Sequence, residues 1–321
     1  MRFTKFLLVG GALLLAALFP VTGSAQTQNS RQAEPGAINY VEGQASIGTQ
    51  TLSSSSVGSV VLAAGQTLNT QAGKVEVLLS PGVFLRVDDN SSVKMVNAGL
   101  ANTAVELDKG RAMVESTDIT KNNDIRVQED GANIRIVKNG LYEFNANDNG
   151  VRVFKGKAEL VYSDKKVDLG KEREVVLTPS TKPKVNSFDA RKYEDDLFRW
   201  SALRSGYLAE ASVDQARLYV NGGPGWVGPG WYWDPWFSCY TFLPAGGIFY
   251  SPFGWGFYSP FAVYRSPFFY GGYPAFGRPH PFNEMHYPYG HGFEPRGGFR
   301  GGVGGFHGGG FGGIRGGGGR R

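Results

Sequence analysis

The 321-residue sequence predicts an all-β domain of short strands, followed by one amphipathic helix and a low-complexity tail rich in glycine and aromatic residues. Three observations support this fold class. Short apolar alternations separated by turn residues fill 36–187, and a helical period follows within 188–220. The composition then changes, because 221–321 contain no lysine but more than half of the chain's 47 glycines and of its aromatic side chains.

The amino terminus has the pattern of a secretory signal peptide spanning 1–25. Arg2 and Lys5 precede an apolar run, and small residues up to Ala25 suit a signal peptidase. Cleavage there would leave 26–35 as a linker. An uncleaved membrane anchor is the alternative, although the apolar run is shorter than the roughly 20 residues that span a bilayer. We expect a periplasmic or secreted protein with no transmembrane segment after signal cleavage.

The apolar residues of the body alternate in the manner of strands. In 75–79 and again in 83–87, valine and leucine point to one face. Glu76, Phe84 and Arg86 are left on the opposite face. No helical pattern interrupts this part of the body.

Glycine-containing turns divide the body into about a dozen strands of about five residues each. Strands of this length predict a twisted antiparallel sandwich or a solenoid-like β-prism with a packed interior of Val, Leu and Ile. Tyr142 and Phe144 are expected to cap this core, and exposure of one of these rings to solvent is the alternative.

The order of the glycine-ended strands resembles a known family. The resemblance is carried by Gly36-Ala-Ile-Asn-Tyr-Val-Glu-Gly43, Leu62-Ala-Ala-Gly-Gln-Thr-Leu68, Lys74-Val-Glu-Val-Leu-Leu79, Pro81-Gly-Val-Phe-Leu-Arg86, Val105-Glu-Leu-Asp-Lys-Gly110 and Val151-Arg-Val-Phe-Lys-Gly156. Over roughly 36–177 this succession resembles the FecR domain, the periplasmic region of regulators that relay ferric-siderophore uptake to a sigma factor. The family's Gly-Thr-x-Phe signature is replaced here by Gly140-Leu-Tyr-Glu-Phe144.

The resemblance implies a FecR-like fold in an extracytoplasmic setting. Sigma-regulating members of the family place a cytoplasmic domain and a membrane helix ahead of the β-domain, where this chain has the predicted signal peptide. Control of transcription through a sigma factor is therefore not implied. The resemblance implies no catalytic residues.

One amphipathic helix is predicted over roughly 190–210. Asp189 is the expected N-cap, and acidic residues follow in the first turn. The apolar stripe consists of Tyr193, Leu197, Trp200, Leu203 or Arg204, and Tyr207 or Leu208. We expect this stripe to dock on the β-domain, and recruitment of a partner protein is the alternative. Gly206 makes the last turn doubtful, because glycine costs about 1 kcal/mol relative to alanine.

The tail, 221–321, is predicted to be largely disordered, because glycine and proline interrupt helices and sheets and few aliphatic residues remain. Its aromatic side chains either fold back on the β-domain or on membrane headgroups, or associate with each other or with sugar rings. Asp234 is the one acid near the tryptophans. The candidate interaction surface consists of Trp200, Trp226, Trp231, Tyr232, Trp233 and Trp236.

Few residues are suited to catalysis or metal binding. Cys239 is the single cysteine and has no histidine near it, which favours a lone residue among aromatics over a nucleophile. The histidines lack the spacing of a zinc hydrolase, and no phosphate loop, nucleophile elbow or dinucleotide motif occurs. The histidines are His280, His286, His291 and His307. We predict no catalytic residue, no cofactor and no metal site.

The charge is unevenly distributed along the chain. The net charge is +5, but 26–220 is close to neutral, which gives no reason to expect nucleic acid as its partner. The end of the tail, 296–321, superficially resembles an arginine-glycine-glycine segment that binds RNA. An exported chain meets little RNA, so a solvated glycine tail is favoured and nucleic-acid binding by the tail stays an alternative.

Two functions remain in competition. The favoured one is a non-catalytic exported envelope protein, a FecR-like structural or ligand-sensing module whose adhesive aromatic tail contacts an envelope component, a polysaccharide or another copy. The alternative is a periplasmic sensor in ferric-siderophore-type signal transduction, which would meet a protein partner at the β face or at the Trp200 helix.

Overall fold

The computed structural model describes residues 33–162, 165–178, 183–220 and 226–265. Within them, fifteen strands precede a 25-residue helix, so the predicted order of a short-strand β-domain and one helix is confirmed. The predicted signal peptide, the histidines and the arginine-glycine segment lie outside the described residues. Among the described helices, none combines the length and the apolar character needed to cross a membrane.

The strands of the β-domain are mostly short, although the first and the third have 10 and 14 residues. They are β1 (Ile38–Ile47), β2 (Gln50–Leu52), β3 (Thr67–Ser80), β4 (Val83–Val87), β5 (Ser92–Ala98), β6 (Asn102–Lys109), β7 (Arg111–Ser116), β8 (Asp124–Glu129), β9 (Ala132–Ile136), β10 (Gly140–Asn145), β11 (Gly150–Lys155), β12 (Ala158–Tyr162), β13 (Lys165–Leu169), β14 (Arg173–Val176) and β15 (Val185–Ser187).

Thirteen of these strands follow one path through a nearly closed, barrel-like sheet. The order is β13-β12-β9-β8-β6-β5-β3-β4-β7-β10-β11-β14-β15, and β1 and β2 attach through β3. The pair β6–β8 is parallel, whereas the other strand pairs described for this sheet are antiparallel.

The interior of the sheet is filled by the residues that the alternation predicts. The valines and leucines of 75–79 and 83–87 share one aliphatic core with the apolar residues of the later strands. Tyr142 and Phe144 belong to the same core and have no exposed surface, which confirms the prediction that they cap it.

The opposite face of β3 and β4 is also buried. Glu76, Phe84 and Arg86 lie on this face as the alternation predicts, yet none of them retains any exposed surface. A helix and the segment 226–265 cover them.

The covering helix, α1 (Asp196–Val220), begins later and ends later than predicted. A 3-10 turn (Ala190–Tyr193) precedes it, and the carboxylate of Asp189 caps that turn and not the helix. The true cap of α1 is Asp195, whose Oδ1 accepts a hydrogen bond of 3.1 Å from the amide of Phe198. The predicted N-cap was therefore wrong by six residues, because the short turn separates the two acids.

Gly206 lies inside α1 and does not end it. A side chain at this position would approach the indole of Trp255, since a Cβ would lie 3.2 Å from Trp255 Cε2. The glycine thus allows the ring to lie close to the helix backbone, and the helix continues to Val220.

Helix α1 docks on the β-domain, as predicted, but its buried face is more polar than the apolar stripe suggested. Arg204 and Leu208 are buried, whereas their alternatives Leu203 and Tyr207 are 56% and 43% exposed. The other polar residues on the buried face are Ser201, Ser205, Ser212 and Gln215.

The prediction of a largely disordered tail is wrong for residues 226–265. They form β16 (Gly230–Asp234), β17 (Cys239–Leu243), β18 (Ile248–Tyr250), β19 (Gly256–Tyr258) and α2 (Pro260–Arg265). The strands pair as two antiparallel hairpins, β16–β17 and β18–β19.

Aromatic rings supply the core that the lack of aliphatic residues seemed to preclude. Tyr240, Phe242 and Phe257 are at most 2% exposed and pack in one cluster with Phe84 of the sheet and Leu208 of α1. An aromatic side chain buries 150–250 Å². A few rings can therefore replace many aliphatic side chains.

Candidate functional site

A cluster of charged side chains lies between the sheet and α1. Glu76, Arg86 and Glu115 come from the adjacent strands β3, β4 and β7, and none has exposed surface. Arg86 Nε donates to Glu76 Oε2 at 3.0 Å, and Arg86 Nη1 donates to Glu115. One guanidinium thus bridges two carboxylates.

Helix α1 and β17 complete this buried charge cluster. Arg204 Nη2 donates to Glu76 Oε1 at 3.0 Å, and Ser205 Oγ donates to Glu115 Oε1 at 2.8 Å. Asn39 of β1 donates to the same oxygen of Glu76 and also exchanges hydrogen bonds with the backbone of Tyr240. The cluster therefore links the sheet, the helix and the first tail hairpin.

The two carboxylates of the cluster differ in protonation behaviour. Burial alone would raise the pKa of Glu76, but Arg204 and Arg86 outweigh that effect and hold the pKa below its ordinary value. Burial raises the pKa of Glu115, and Arg86 and Ser205 offset it only in part. Because these groups are inaccessible, the cluster is suited to fixing the helix and not to contacting a substrate.

Cys239 adjoins this region at the start of β17. It is 1% exposed, and burial raises the pKa of its thiol to about 12. A buried thiol of this kind is not available as a nucleophile near neutral pH.

A second, half-buried group of charges holds the first turn of α1. Arg111 pairs with Asp88 at 2.7 Å and also contacts Asp195. Lys74 pairs with Asp88 at 3.1 Å and with Asp196 at 2.9 Å. Burial tends to lower the pKa of Lys74, but these two carboxylates raise it above its ordinary value. The helix is thus fixed at its first turn and again near its middle.

Trp200 docks on the β-domain. Its Nε1 donates to Glu42 Oε2 at 2.8 Å, and its ring centroid lies 6.1 Å from that of Tyr40. Trp233 packs even more tightly, since a Cβ on Gly58 would lie 2.5 Å from its ring. These two tryptophans contribute mainly to the docking of α1 and of β16.

Trp226, Trp231 and Tyr232 are half-buried among other tail and helix residues. The ring of Trp226 meets Phe261 edge-on at 5.4 Å, and that of Tyr232 meets Tyr219 at 5.1 Å. Their role as an interaction surface stays a prediction.

Trp236 differs from the other candidates because it is 81% exposed. It lies in the turn between β16 and β17, which the buried carboxylate of Asp234 holds. Asp234 Oδ1 accepts from the amides of Trp236 and Phe237 at 2.8 and 2.9 Å, and Oδ2 accepts from Gln215 of α1 at 3.0 Å. Asp234 therefore positions the tryptophan and does not itself face solvent.

Further exposed rings lie outside the predicted set of interaction residues, although Tyr207 was an alternative member of the predicted helix stripe. They are Tyr207, Tyr250, Phe261 and Tyr264, with exposures of 43%, 63%, 54% and 61%. An alternation could have indicated one of them, because Tyr250 and Ile248 flank the inward-facing Phe249 on β18. We refer to these four exposed side chains and Trp236 together as the aromatic surface.

Within the described part of the chain, no group of three or more His, Cys, Asp or Glu side chains is arranged to hold a metal ion. The residues that sequence reasoning excluded from metal binding, the four histidines, lie outside that part.

Comparison with known proteins finds a family match within the β-domain. A family model described as FecR protein matches residues 66–159. No curated protein matches the chain. Two crystal structures described as a "putative anti-sigma factor" from Parabacteroides distasonis ATCC 8503, at 1.65 and 2.50 Å resolution, are similar, with 15% and 16% identity and TM-scores of 0.36 and 0.34. They cover 44% and 39% of this chain, which spans 65% and 60% of theirs.

Proposed function

Because residues 66–159 form a FecR domain, we propose that the protein is a non-catalytic, exported binding module of the cell envelope. The predicted signal peptide of 1–25 supports the location. The FecR domain serves as the platform, and α1 with 226–265 forms an aromatic attachment built on it.

One observation supports this proposal above the others. Segment 226–265 buries Tyr240, Phe242 and Phe257 against the platform while its Trp236 and Tyr250 stay exposed. Tryptophan and tyrosine combine an apolar ring face with a polar tip, a combination that is enriched at binding interfaces. Such rings suit contact with the apolar faces of sugar rings in an envelope polysaccharide.

The folding of 226–265 onto the platform also favours binding of a polysaccharide by a segment that is rich in glycine and proline. A side chain held on a folded hairpin loses less conformational entropy on binding than one on a disordered chain. The turn at Asp234 holds Trp236 in this way, through hydrogen bonds to two backbone amides.

Retention of the purified chain on insoluble cell-wall polysaccharide tests the proposal. We expect the double variant Trp236→Ala with Tyr250→Ala to lose most of the retained protein. The matched control is Leu100→Ala, which removes a 54% exposed apolar side chain from the β5–β6 turn. Equal retention of all three proteins, with unchanged circular dichroism, would disprove the binding role of the aromatic surface.

A sensor in ferric-siderophore-type signalling is the second candidate, and the match to the FecR family model favours it. Its partner would be a protein that meets the exposed side of α1, where Leu203 and Tyr207 project into solvent. Co-purification of an outer-membrane transporter with the intact chain, lost in Leu203→Ala with Tyr207→Ala, would support this role. Retention of the transporter by that variant would exclude this surface.

A further inference from the structure

A polar cleft of about 550 Å³ lies on the outer face of the β-domain. Strands β8, β9, β12 and β13 and the turn before β8 form it, so neither α1 nor the aromatic attachment contributes to it. The cationic and amide side chains among its lining residues that are used below are Lys121, Asn122, Arg126, Asn133, Arg135 and Lys166, and its two carboxylates are Asp124 and Glu159.

Two arginines lie side by side in this cleft. Arg126 of β8 and Arg135 of β9 are direct cross-strand partners. Like charges placed directly opposite each other destabilise a sheet, so packing alone gives no reason for this pair. Asp124 is shared between them, at 2.7 Å from Arg126 Nη2 and 3.3 Å from Arg135 Nε.

The acidic groups of the cleft do not balance its cations. Glu159 lies 3.5 Å from Arg135 and 3.1 Å from Lys166, so it too is shared between two cations. Lys121 makes no ion pair with any described residue. Four cations therefore face two carboxylates, and the cleft has an excess of positive charge.

The turn that forms one wall is held in place before any ligand arrives. Asn123 Oδ1 accepts from the amide and the hydroxyl of Thr120 at 3.1 and 2.6 Å, and its Nδ2 donates to Ser80 Oγ at 3.1 Å. This fixed turn presents Lys121 and Asn122 to the cleft. A preformed wall lowers the entropy cost of binding.

We propose that this cleft binds an anionic sugar, one that carries a carboxylate or a phosphate group. Arg126, Arg135 and Lys121 would donate charge-assisted hydrogen bonds to the anionic group, because guanidinium groups match planar and tetrahedral oxyanions. The amides of Asn122 and Asn133 offer both donors and acceptors for sugar hydroxyls. The lining of this site shares no residue with the aromatic surface. The site requires a negatively charged group on the ligand, whereas stacking on aromatic rings does not.

Calorimetric titration of the purified full chain tests the site. The probes are trigalacturonate, its neutral methyl ester and glucose 6-phosphate, each at low salt because screening weakens such contacts. We expect trigalacturonate or the phosphate sugar to bind, and the methyl ester to bind at least about tenfold more weakly. Loss of one charged donor should weaken binding by about tenfold in Lys121→Gln and in Arg126→Gln.

The matched control is Lys94→Gln. Lys94 is a half-exposed cation on β5, 3.9 Å from Glu106, and does not line the cleft. Its replacement should leave the affinity unchanged, whereas Lys121→Gln, in a turn fixed by other residues, should weaken it without unfolding the sheet. Preference for trigalacturonate identifies a uronic acid as the source of the anion, and preference for the phosphate sugar identifies a phosphorylated one.

Three results would overturn the proposal: no binding of either anion at millimolar concentration, equal binding of the methyl ester, or equal weakening by Lys94→Gln. The double variant of the aromatic surface should still bind the anionic probe. Failure of this site is thereby distinguishable from failure of the polysaccharide retention.

Discussion

Arg204 of α1 and Glu76 of β3, 128 residues apart in the sequence, form an ion pair of 3.0 Å that is almost completely removed from water. Such a pair has a large desolvation cost and gives little net stability on its own. Its effect is instead on specificity, because a shifted or undocked helix would leave Glu76 without Arg204 and Glu115 without Ser205. The pair therefore ties the position of α1 to the register of the sheet.

Arg204→Met should destabilise the protein by about 3 kcal/mol, because it removes one partner of a buried carboxylate that was desolvated for it. Urea unfolding followed by circular dichroism measures this change in the free energy of unfolding. Arg199→Met is the control, since Arg199 lies on the exposed side of the same helix and should change the stability by less than about 0.5 kcal/mol. Equal stabilities of the two variants would show that the buried pair does not hold the helix.

Phe242→Ala should cost about 3 to 5 kcal/mol, because Phe242 has no exposed surface and its ring packs 6.0 Å from that of Phe257. Phe261→Ala removes a ring that is 54% exposed and should cost less than about 1 kcal/mol. The comparison, by urea unfolding, measures whether 226–265 is part of the folded core. Similar small losses in both variants would restore the view of an undocked tail.

The sequence was sufficient to predict the strands but not what covers them. Alternation placed Glu76, Phe84 and Arg86 on the face away from the core, and charges there ordinarily indicate solvent. The structure buries this face beneath α1, where Arg204 supplies a positive charge that pairs with the buried carboxylate of Glu76. The alternation of apolar and polar residues indicates which side chains of a strand share a face. It carries no information on a partner such as Arg204, which is 128 residues away from Glu76.

The folding of 226–265 was hidden for a different reason. Its glycine and proline content favoured disorder, yet Gly58 of the β-domain and Gly206 of α1 are the positions that let Trp233 and Trp255 approach the backbone. Each ring contacts a glycine that is distant in the sequence, so these contacts cannot be predicted from local sequence patterns. Of the predicted interaction residues, Trp236 alone is mostly exposed. Its exposure depends on the turn held by Asp234, and no sequence motif predicted that turn.

Stability should fall as the pH rises from about 5 to about 8, in part through Glu129. This side chain is 1% exposed, and burial, with help from Asp130 and Glu143, raises its pKa to about 8 from a value of 4.5 in the unfolded chain. Between these two pKa values the folded state binds the proton of Glu129 more tightly than the unfolded state does. The stability that the protonated side chain contributes is therefore fully present below the unfolded pKa, and it is lost as the pH rises through the folded pKa.

Glu129→Gln should remove much of this pH dependence, because the amide stays neutral at every pH in that range. We expect the change in unfolding free energy across the range to shrink by roughly 2 to 4 kcal/mol, measured by urea unfolding at several pH values. Glu106→Gln, which alters a partly exposed carboxylate on β6, should keep the wild-type slope. An unchanged slope in Glu129→Gln would assign the pH dependence to other groups.

Asp234→Ala should weaken polysaccharide retention even though Asp234 is only 1% exposed and cannot touch a ligand. The substitution leaves the amides of Trp236 and Phe237 and the side chain of Gln215 without their acceptor, at a cost of about 1 to 3 kcal/mol for each buried group. The turn then no longer holds Trp236 in one position. Asp234→Asn keeps an acceptor oxygen toward the two amides, and Gln215 can turn its own amide so that its oxygen accepts from the new Nδ2. This variant should retain most of the binding. Tryptophan fluorescence and retention, measured on both variants, should change together. A loss of retention in Asp234→Asn as large as in Asp234→Ala would mean that the acceptor oxygen toward the two amides does not by itself hold the turn.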